Sequence, residues 1–346
     1  MRNSFKINDR LVGCDQKPLV IAEIGINHGG NLQIAKEMVV SAKNAGAEII
    51  KHQTHIIEDE MSSEAKNIKP GNADISIFEI MEKCSLSNDE ERELMKFTED
   101  NGLIFFSSPF SRAAFHRLEE FNVPAYKIGS GECNNLPLIE EIARTKKPMI
   151  LSTGMNDIAS IKKTMNIINE YHNNVALLHT TNLYPTPNNL VRLGAMTEMA
   201  TAFPNNIFGL SDHTLSNHAS FSAVALGASI IERHYTDHMN RTGPDIICSM
   251  DESTCKDLIE GVNIIHEQLG GSKKASVEEQ VTIDFAFASV CTTKAIQKGE
   301  VFTEKNIWVK RPGTGDFLAK DYKNILGKKA STDIANNVQL NKEDVL

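Results

Sequence analysis

A chain of 346 residues with 41% apolar content is long enough to bury one large core and a smaller second one. Its formal charge of −9 lacks the basic footprint that nucleic acid demands, and no run approaches the ~18 apolar residues of a membrane span. Six cysteines (Cys14, Cys84, Cys133, Cys248, Cys255, Cys291) without a C-x-x-C pair read as buried thiols in a reducing compartment, and the opening MRNSFKINDRLVG has no apolar leader core, so cytoplasmic residence is expected.

From residue 19 onward, apolar runs of strand length alternate with amphipathic helical stretches, the pattern of parallel β/α architecture. Eight strands are predicted: LVIAEIG (19–25), AEIIKHQ (47–53), LIFFSS (103–108), AYKIGS (125–130), PMILST (148–153), VALLHTT (175–181), NIFGLS (206–211) and ASIIERH (228–234). In the intervening helices Ser87 with Glu90 reads as a capping box, Gly102 as a stop and Pro137 as a first-turn residue. The second connection is the longest, and SSEAKNIKPGNADIS within it reads as an excursion over one mouth of the fold. Eight such units over residues 1–268 predict a closed (β/α)8 TIM barrel, with an open doubly wound sheet as the lesser alternative. Polar residues with paired glycines suggest a linker over 269–284, leaving 285–346 as a small β-rich domain. Within it AIQKGEVFTEKNI is echoed by DIANNVQLNKEDV, matching Gly299 with Asn337, two residue types that tolerate a left-handed turn.

VIAEIGINHGG (20–30) raises the functional question, because Glu23 interrupts an apolar run and an isolated buried charge costs several kcal/mol. The polar residues at or just beyond the other strands answer it by gathering at the C-terminal ends, where a β/α barrel builds its active site. Strand one ends on Glu23 and Asn27, strand two on Lys51 and Gln53, strand three on Ser108, and strand four on Lys127, Ser130 and Glu132. Thr153 closes strand five, Asn182 and Tyr184 follow strand six, Ser211 and His213 strand seven, and His234 strand eight, with Asp245 beyond. Taken singly, a strand lysine more often snorkels to solvent. Two of them with Ser108, Ser130 and a glycine-flanked turn make an anion pocket. His213 and His234 end consecutive strands and could share a divalent metal, whereas His28, His52, His55 and His179 lack that pairing and read as structural or supporting.

Ten stretches in order, AEIGINHGG, AGAEIIKHQTH, SSPFS, YKIGSGECNN, LSTGM, TTNLYPTP, GLSDHT, ERHYT, GPDIICSM and VKRPGTGDF, together resemble the bacterial sialic acid synthases over nearly the whole chain, and the C-terminal segment resembles their antifreeze-like SAF domain. The resemblance implies condensation of phosphoenolpyruvate with an N-acylated amino sugar, releasing phosphate, in a cytoplasmic domain-swapped homodimer. It implies phosphoenolpyruvate contacts from Lys51, Ser108, Lys127, Ser130, Asn182 and Ser211, and a divalent ion, Mn²⁺ or alternatively Mg²⁺ or Co²⁺, on His213 and His234. Sugar contacts would come from Gln53, Asn72, Tyr184 and Asp245, joined by Phe285 and Arg311 of the partner subunit. Glu132 is the favoured general base, with Glu23 orienting substrate or water. Where the family usually reads STPF this chain has SSPF, which keeps the hydroxyl at Ser108. N-acetylmannosamine is the expected sugar, with precursors of legionaminic or pseudaminic acid as alternatives. A pyruvate-using metal aldolase and a carbohydrate- or ice-binding module are the rival classes, and the barrel constellation argues against a binding module.

Overall fold

In the computed structural model, which describes residues 4–70 and 74–346, the chain opens with an antiparallel hairpin of β1 (Ser4–Ile7) and β2 (Arg10–Gly13). Its two-residue turn holds Asn8 at φ 51°, a conformation asparagine tolerates. The hairpin sends Phe5, Ile7 and Val12 into the same apolar cluster as Leu19, Ile49 and Ile230, so it packs against the N-terminal end of the barrel. Nothing in the period of the first thirteen residues announced it.

Eight parallel strands follow: β3 (Leu19–Gly25), β4 (Ile49–Thr54), β5 (Ile104–Pro109), β6 (Tyr126–Ile128), β7 (Met149–Ser152), β8 (Val175–Thr180), β9 (Ile207–Asp212) and β10 (Ile230–His234). They pair in sequence order and β10 closes back onto β3, a closed barrel with each predicted strand bounded within two residues. The helices are α1 (Leu32–Asn44), α2 (Ile57–Glu60), α3 (Ile77–Cys84), α4 (Asn88–Asp100), α5 (Arg112–Phe121), α6 (Leu136–Arg144), α7 (Ile158–Asn169), α8 (Leu193–Ala202), α9 (His218–Ala225) and α10 (Glu252–Gln268). The Ser87–Glu90 capping box opens α4, Pro137 sits in the first turn of α6, and Gly102 adopts φ 80° where α4 ends. The excursion between β4 and α4 carries α2, a 3₁₀ turn at Ser63–Asn67 and α3.

Alternation along each strand sorts the residues into two sets. Val20, Ala22 and Ile24 join the cluster under the helices, whereas Leu19 and Ile21 join the barrel interior with Ile49, Phe106, Ile150 and Ile207. The same alternation turns His52 outward, where Nδ1 lies 3.0 Å from Glu91 Oε1, and Glu91 in turn accepts from Arg117 at 3.1 Å. Gly30 N–H donates to His28 Nδ1, so the 3.2 Å contact between the two Nε2 atoms makes His28 the donor and His52 the acceptor. Both imidazoles are buried: His52 links β4 to Glu91 on α4, and His28 reaches His52 from the loop after β3.

The chain divides into two units, Met1–Gly270 and Gly271–Leu346. The stretch expected as a linker is not irregular throughout: a 3₁₀ turn at Val277–Glu279, opened by a Ser276–Glu279 capping box, runs into α11 (Gln280–Ala286). In the small unit β11 (Ser289–Thr292) pairs antiparallel with β12 (Ile307–Lys310). The sequence echo is structural: Ile296 and Ile334 exchange backbone hydrogen bonds of 2.9 and 2.8 Å, and Gly299 and Asn337 take φ 83° and 61°. No helix among the described residues is long and apolar enough to cross a membrane.

Candidate active site

The inward alternation that buries Leu19 and Ile21 brings Glu23 into the barrel next, and does the same for Lys51 after Ile49, Lys127 after Ala125, and Glu232 after Ile230. Four charges therefore meet in one buried layer above the apolar interior. Lys51 Nζ stands 2.5 Å from Glu23 Oε1 and 3.4 Å from Glu232 Oε1, and Lys127 Nζ 3.4 Å from the same Glu232 oxygen. Ser211 Oγ donates to Glu232 at 3.0 Å, and Lys127 donates to Ser152 Oγ at 2.7 Å. Two anions and two cations balance the layer, which is how charges survive burial. Burial works against the ionised form of Glu23, but His234, Lys51 and Lys127 outweigh it and hold the carboxyl far below its usual range. Burial pushes the Lys127 ammonium down to about 8, while for Lys51 the neighbouring Glu23 and Glu232 overcome burial and keep it above its ordinary value.

Above this layer His213 and His234 face one another with ring centroids 5.3 Å apart. Tyr184 stacks on His213 at 4.2 Å and meets His234 edge-on at 5.7 Å. His213 Nδ1–H donates to the Thr181 carbonyl at 2.9 Å, leaving Nε2 as a lone-pair acceptor, and burial holds the ring neutral by pushing it down to about 3. His234 Nδ1 is buried without a hydrogen-bond partner, 3.8 Å from Asp245 Oδ2, and its Nε2 lies 3.7 Å from Glu23 Oε2. Ser108 Oγ, Asn182 Oδ1 and Glu232 Oε2 are also buried and unpartnered among the described residues. A concentration of unsatisfied polar atoms at one end of a barrel is the mark of a site built for a polar ligand.

Asn182, Tyr184, His234, Asp245 and Gln53 line a cavity of about 730 Å³ at this end. Its outer wall is apolar and comes from the excursion after β4, through Met61, Ile77, Ile80 and Met81. Ser130 Oγ accepts from the Gly154 N–H at 3.1 Å, and a Cβ on Gly154 would collide with Asn182 Oδ1, so the glycine of LSTGM lets two of the candidates approach. Glu132 stands apart, lining an adjoining cavity of about 330 Å³ that shares Glu60 and Phe110 with the larger one. Its carboxylate accepts from Asn135 at 2.6 Å, and burial, reinforced by Glu60, raises its pKa. Phe285 and Arg311 belong to the small unit, where the Gly313 N–H donates to the Asp284 carbonyl and ties α11 to the RPGTG loop. Asn72 lies outside the described residues.

A family model for NeuB matches residues 38–274, and an SAF-domain model matches residues 287–346. The chain belongs to the NeuB family. It is 37% identical to the N,N'-diacetyllegionaminic acid synthase of Campylobacter jejuni over 91% of this chain and 96% of that protein. It is 34% identical to the pseudaminic acid synthase of Helicobacter pylori over 95% of this chain and 98% of that one. The crystal structure of the N-acetylneuraminic acid (sialic acid) synthetase of Leptospira borgpetersenii, a complex with citrate, superposes with a TM-score of 0.75 at 26% identity, covering 82% of this chain and 96% of that chain.

Two polar members of this NeuB site escaped the sequence reading. Glu232 was hidden inside ASIIERH, although it lies two residues before His234 and must share its face of the strand. Ser152, not Thr153, meets Lys127; Thr153 spends its hydroxyl on the Leu178 carbonyl at 2.9 Å. Counting by twos from Ile150 identifies Ser152.

Proposed function

We propose that this NeuB-family enzyme condenses phosphoenolpyruvate with the open-chain aldehyde of an N-acylated amino hexose and water, yielding a nine-carbon nonulosonic acid and inorganic phosphate. The carrying observation is the buried charged layer of Glu23, Lys51, Lys127 and Glu232 lying beneath paired imidazoles. Lys51 and Lys127, with Ser108, Ser130, Ser211 and Asn182, suit a ligand that bears both a phosphate and a carboxylate. The methylene carbon of phosphoenolpyruvate bonds to the aldehyde carbon, whose oxygen takes a proton from solvent, and the carbon bearing the phosphate oxygen becomes cationic. Water adds there, and the tetrahedral carbon then expels phosphate by carbon–oxygen cleavage. Glu23, held ionised, stabilises the developing positive charge, while Glu132, set in the adjoining cavity with a raised pKa, takes the proton of the attacking water through one intervening water, a role worth ~10² to 10⁴ in rate.

The donor set fits a divalent cation: one imidazole with its lone pair turned free by the Thr181 bond, and a second with an unpartnered nitrogen. Among the described residues no group of three or more His, Cys, Asp or Glu is arranged as a cage, so His213 and His234 would hold the ion with open positions for oxygen ligands. When bound, Mn²⁺, or alternatively Mg²⁺ or Co²⁺, supplies Lewis-acid polarisation of the aldehyde. Exposed Met155, Leu183, Leu215 and Ile247 on the loops beyond β7 to β10 favour a second copy as cover, contributing its exposed Phe285 and Arg311 to the sugar subsite.

Two sugar classes compete. N-acetylmannosamine is the first, and the apolar wall of Met61, Ile77, Ile80 and Met81 favours the second, a hexose in which hydroxyls give way to a further acetamido group and a methyl. Similarity to legionaminic and pseudaminic acid synthases agrees with that choice. Phosphate release measured with each aldose, with the product weighed by mass spectrometry, decides between them; no release with any aldose sinks the condensation itself.

Lys127 supplies a pH signature. Its ammonium is intact below about 8 and loses its proton as pH rises through that value, so kcat/KM for phosphoenolpyruvate is expected to fall ~10-fold per pH unit on the alkaline side. A profile flat to pH ~9.5 would remove Lys127 from the phosphate subsite.

A further inference from the structure

The end of β4 and the start of the excursion carry polar groups to which no step of the condensation has been assigned. Gln53 donates from Nε2 to Glu23 Oε1 at 2.7 Å. Gln53 Oε1 lies 3.1 Å from His55 Nε2, and His55 Nδ1 lies 2.8 Å from Glu60 Oε2. The His55 ring stacks on Phe110 with centroids 4.4 Å apart and planes 16° from parallel, and its side chain is 1% exposed. Gln53, His55, Glu60 and Phe110 all border the main cavity.

Hydrogen-bond chemistry gives this chain one direction. The Glu23 carboxylate only accepts, so Gln53 must turn its NH₂ toward it. Gln53 Oε1 then faces His55 and also only accepts, so His55 Nε2 must carry a hydrogen. The other ring nitrogen lies within hydrogen-bond distance of Glu60 Oε2, and the Phe110 ring fixes the imidazole plane. Were the amide reversed, its carbonyl would oppose the Glu23 carboxylate in a buried setting, an arrangement that leaves two acceptors unpaired.

We infer that His55, held by Glu60 and Phe110, is a positioning residue that locks the Gln53 amide so that Gln53 offers the sugar its second N–H and never its carbonyl. The site then selects, at this position, an aldose bearing an acceptor such as an acyl carbonyl or a hydroxyl oxygen. The inference rests on the proposed condensation and on Gln53 being one of its sugar contacts, as the sequence resemblance implies.

The test uses the full-length enzyme as wild type, His55→Leu and His55→Gln. Glutamine restores an N–H toward Gln53 Oε1 and leucine does not. For His55→Leu the KM for the aldose is expected to rise ~10-fold or more while the KM for phosphoenolpyruvate stays within ~2-fold, and His55→Gln is expected to recover most of that loss. Equal rises in both KM values, an unchanged aldose KM, or a glutamine variant no better than leucine would overturn it. Side-chain amide spectra of ¹⁵N-glutamine-labelled protein supply a readout without turnover: one sharp Gln53 NH₂ pair in wild type and His55→Gln, broadened or doubled in His55→Leu. An identical Gln53 pair in all three proteins overturns the lock even if no aldose reacts, whereas a wild type that releases no phosphate while showing the expected spectra defeats only the proposed reaction.

Discussion

Replacing Lys51 with methionine is expected to lower stability by about 3–5 kcal/mol and to cut kcat/KM for phosphoenolpyruvate by ~10³. Lys51 bridges Glu23 and Glu232 in a layer where every member is nearly solvent-free, so its loss leaves two buried carboxylates against Lys127 alone. Glu23→Gln combined with Lys51→Met restores neutrality, and the pair of changes should recover at least half of the stability lost by Lys51→Met, while activity stays absent. Urea unfolding midpoints at constant m-value separate the two readouts. A single-variant shift below ~1 kcal/mol would mean that Lys127 neutralises both acids unaided.

The second large effect concerns the imidazole pair. His213→Ala and His234→Ala are each expected to lower kcat by ~10³ or more, because a Lewis acid at the aldehyde is worth several kcal/mol. Elemental analysis of protein dialysed with Mn²⁺ should find the ion retained by wild type and lost from either variant. Activity removed by chelation should return on adding the ion to wild type alone. Retention of metal and turnover in His234→Ala would dismiss the pairing on which this expectation rests. The neutral, carbonyl-tethered state of His213 leaves its free nitrogen a ready ligand at working pH.

Much of this was legible in the residues. Apolar runs of strand length between amphipathic helical stretches placed eight strands, and the polar positions at their C-terminal ends marked one mouth as chemical, with Lys51, Lys127, His213 and His234 among them. Alternation also made Glu232 and Ser152 predictable in principle, but an acid beside an arginine and a serine beside a threonine do not announce which of the two faces inward. The N-terminal hairpin and α11 were missed for another reason: four- and seven-residue elements carry too few periods to register, and tertiary packing or a capping box decides them.

Glu132 shows the division most plainly. Its motif put it on the turn beside the phosphate candidates, and the folded chain set its carboxylate in an adjoining cavity against Asn135, raising its pKa through burial. The order of elements, the barrel and the residue types at its mouth follow from local pattern, because strand period and helix capping act over a few residues. Which side chains meet, which charges cancel, and which amide is locked by His55 depend on groups as far apart as Glu23 and Glu232. Only closure of β10 onto β3 brings those two together around Lys51, and the low-dielectric interior then turns their proximity into charge states and hydrogen-bond directions.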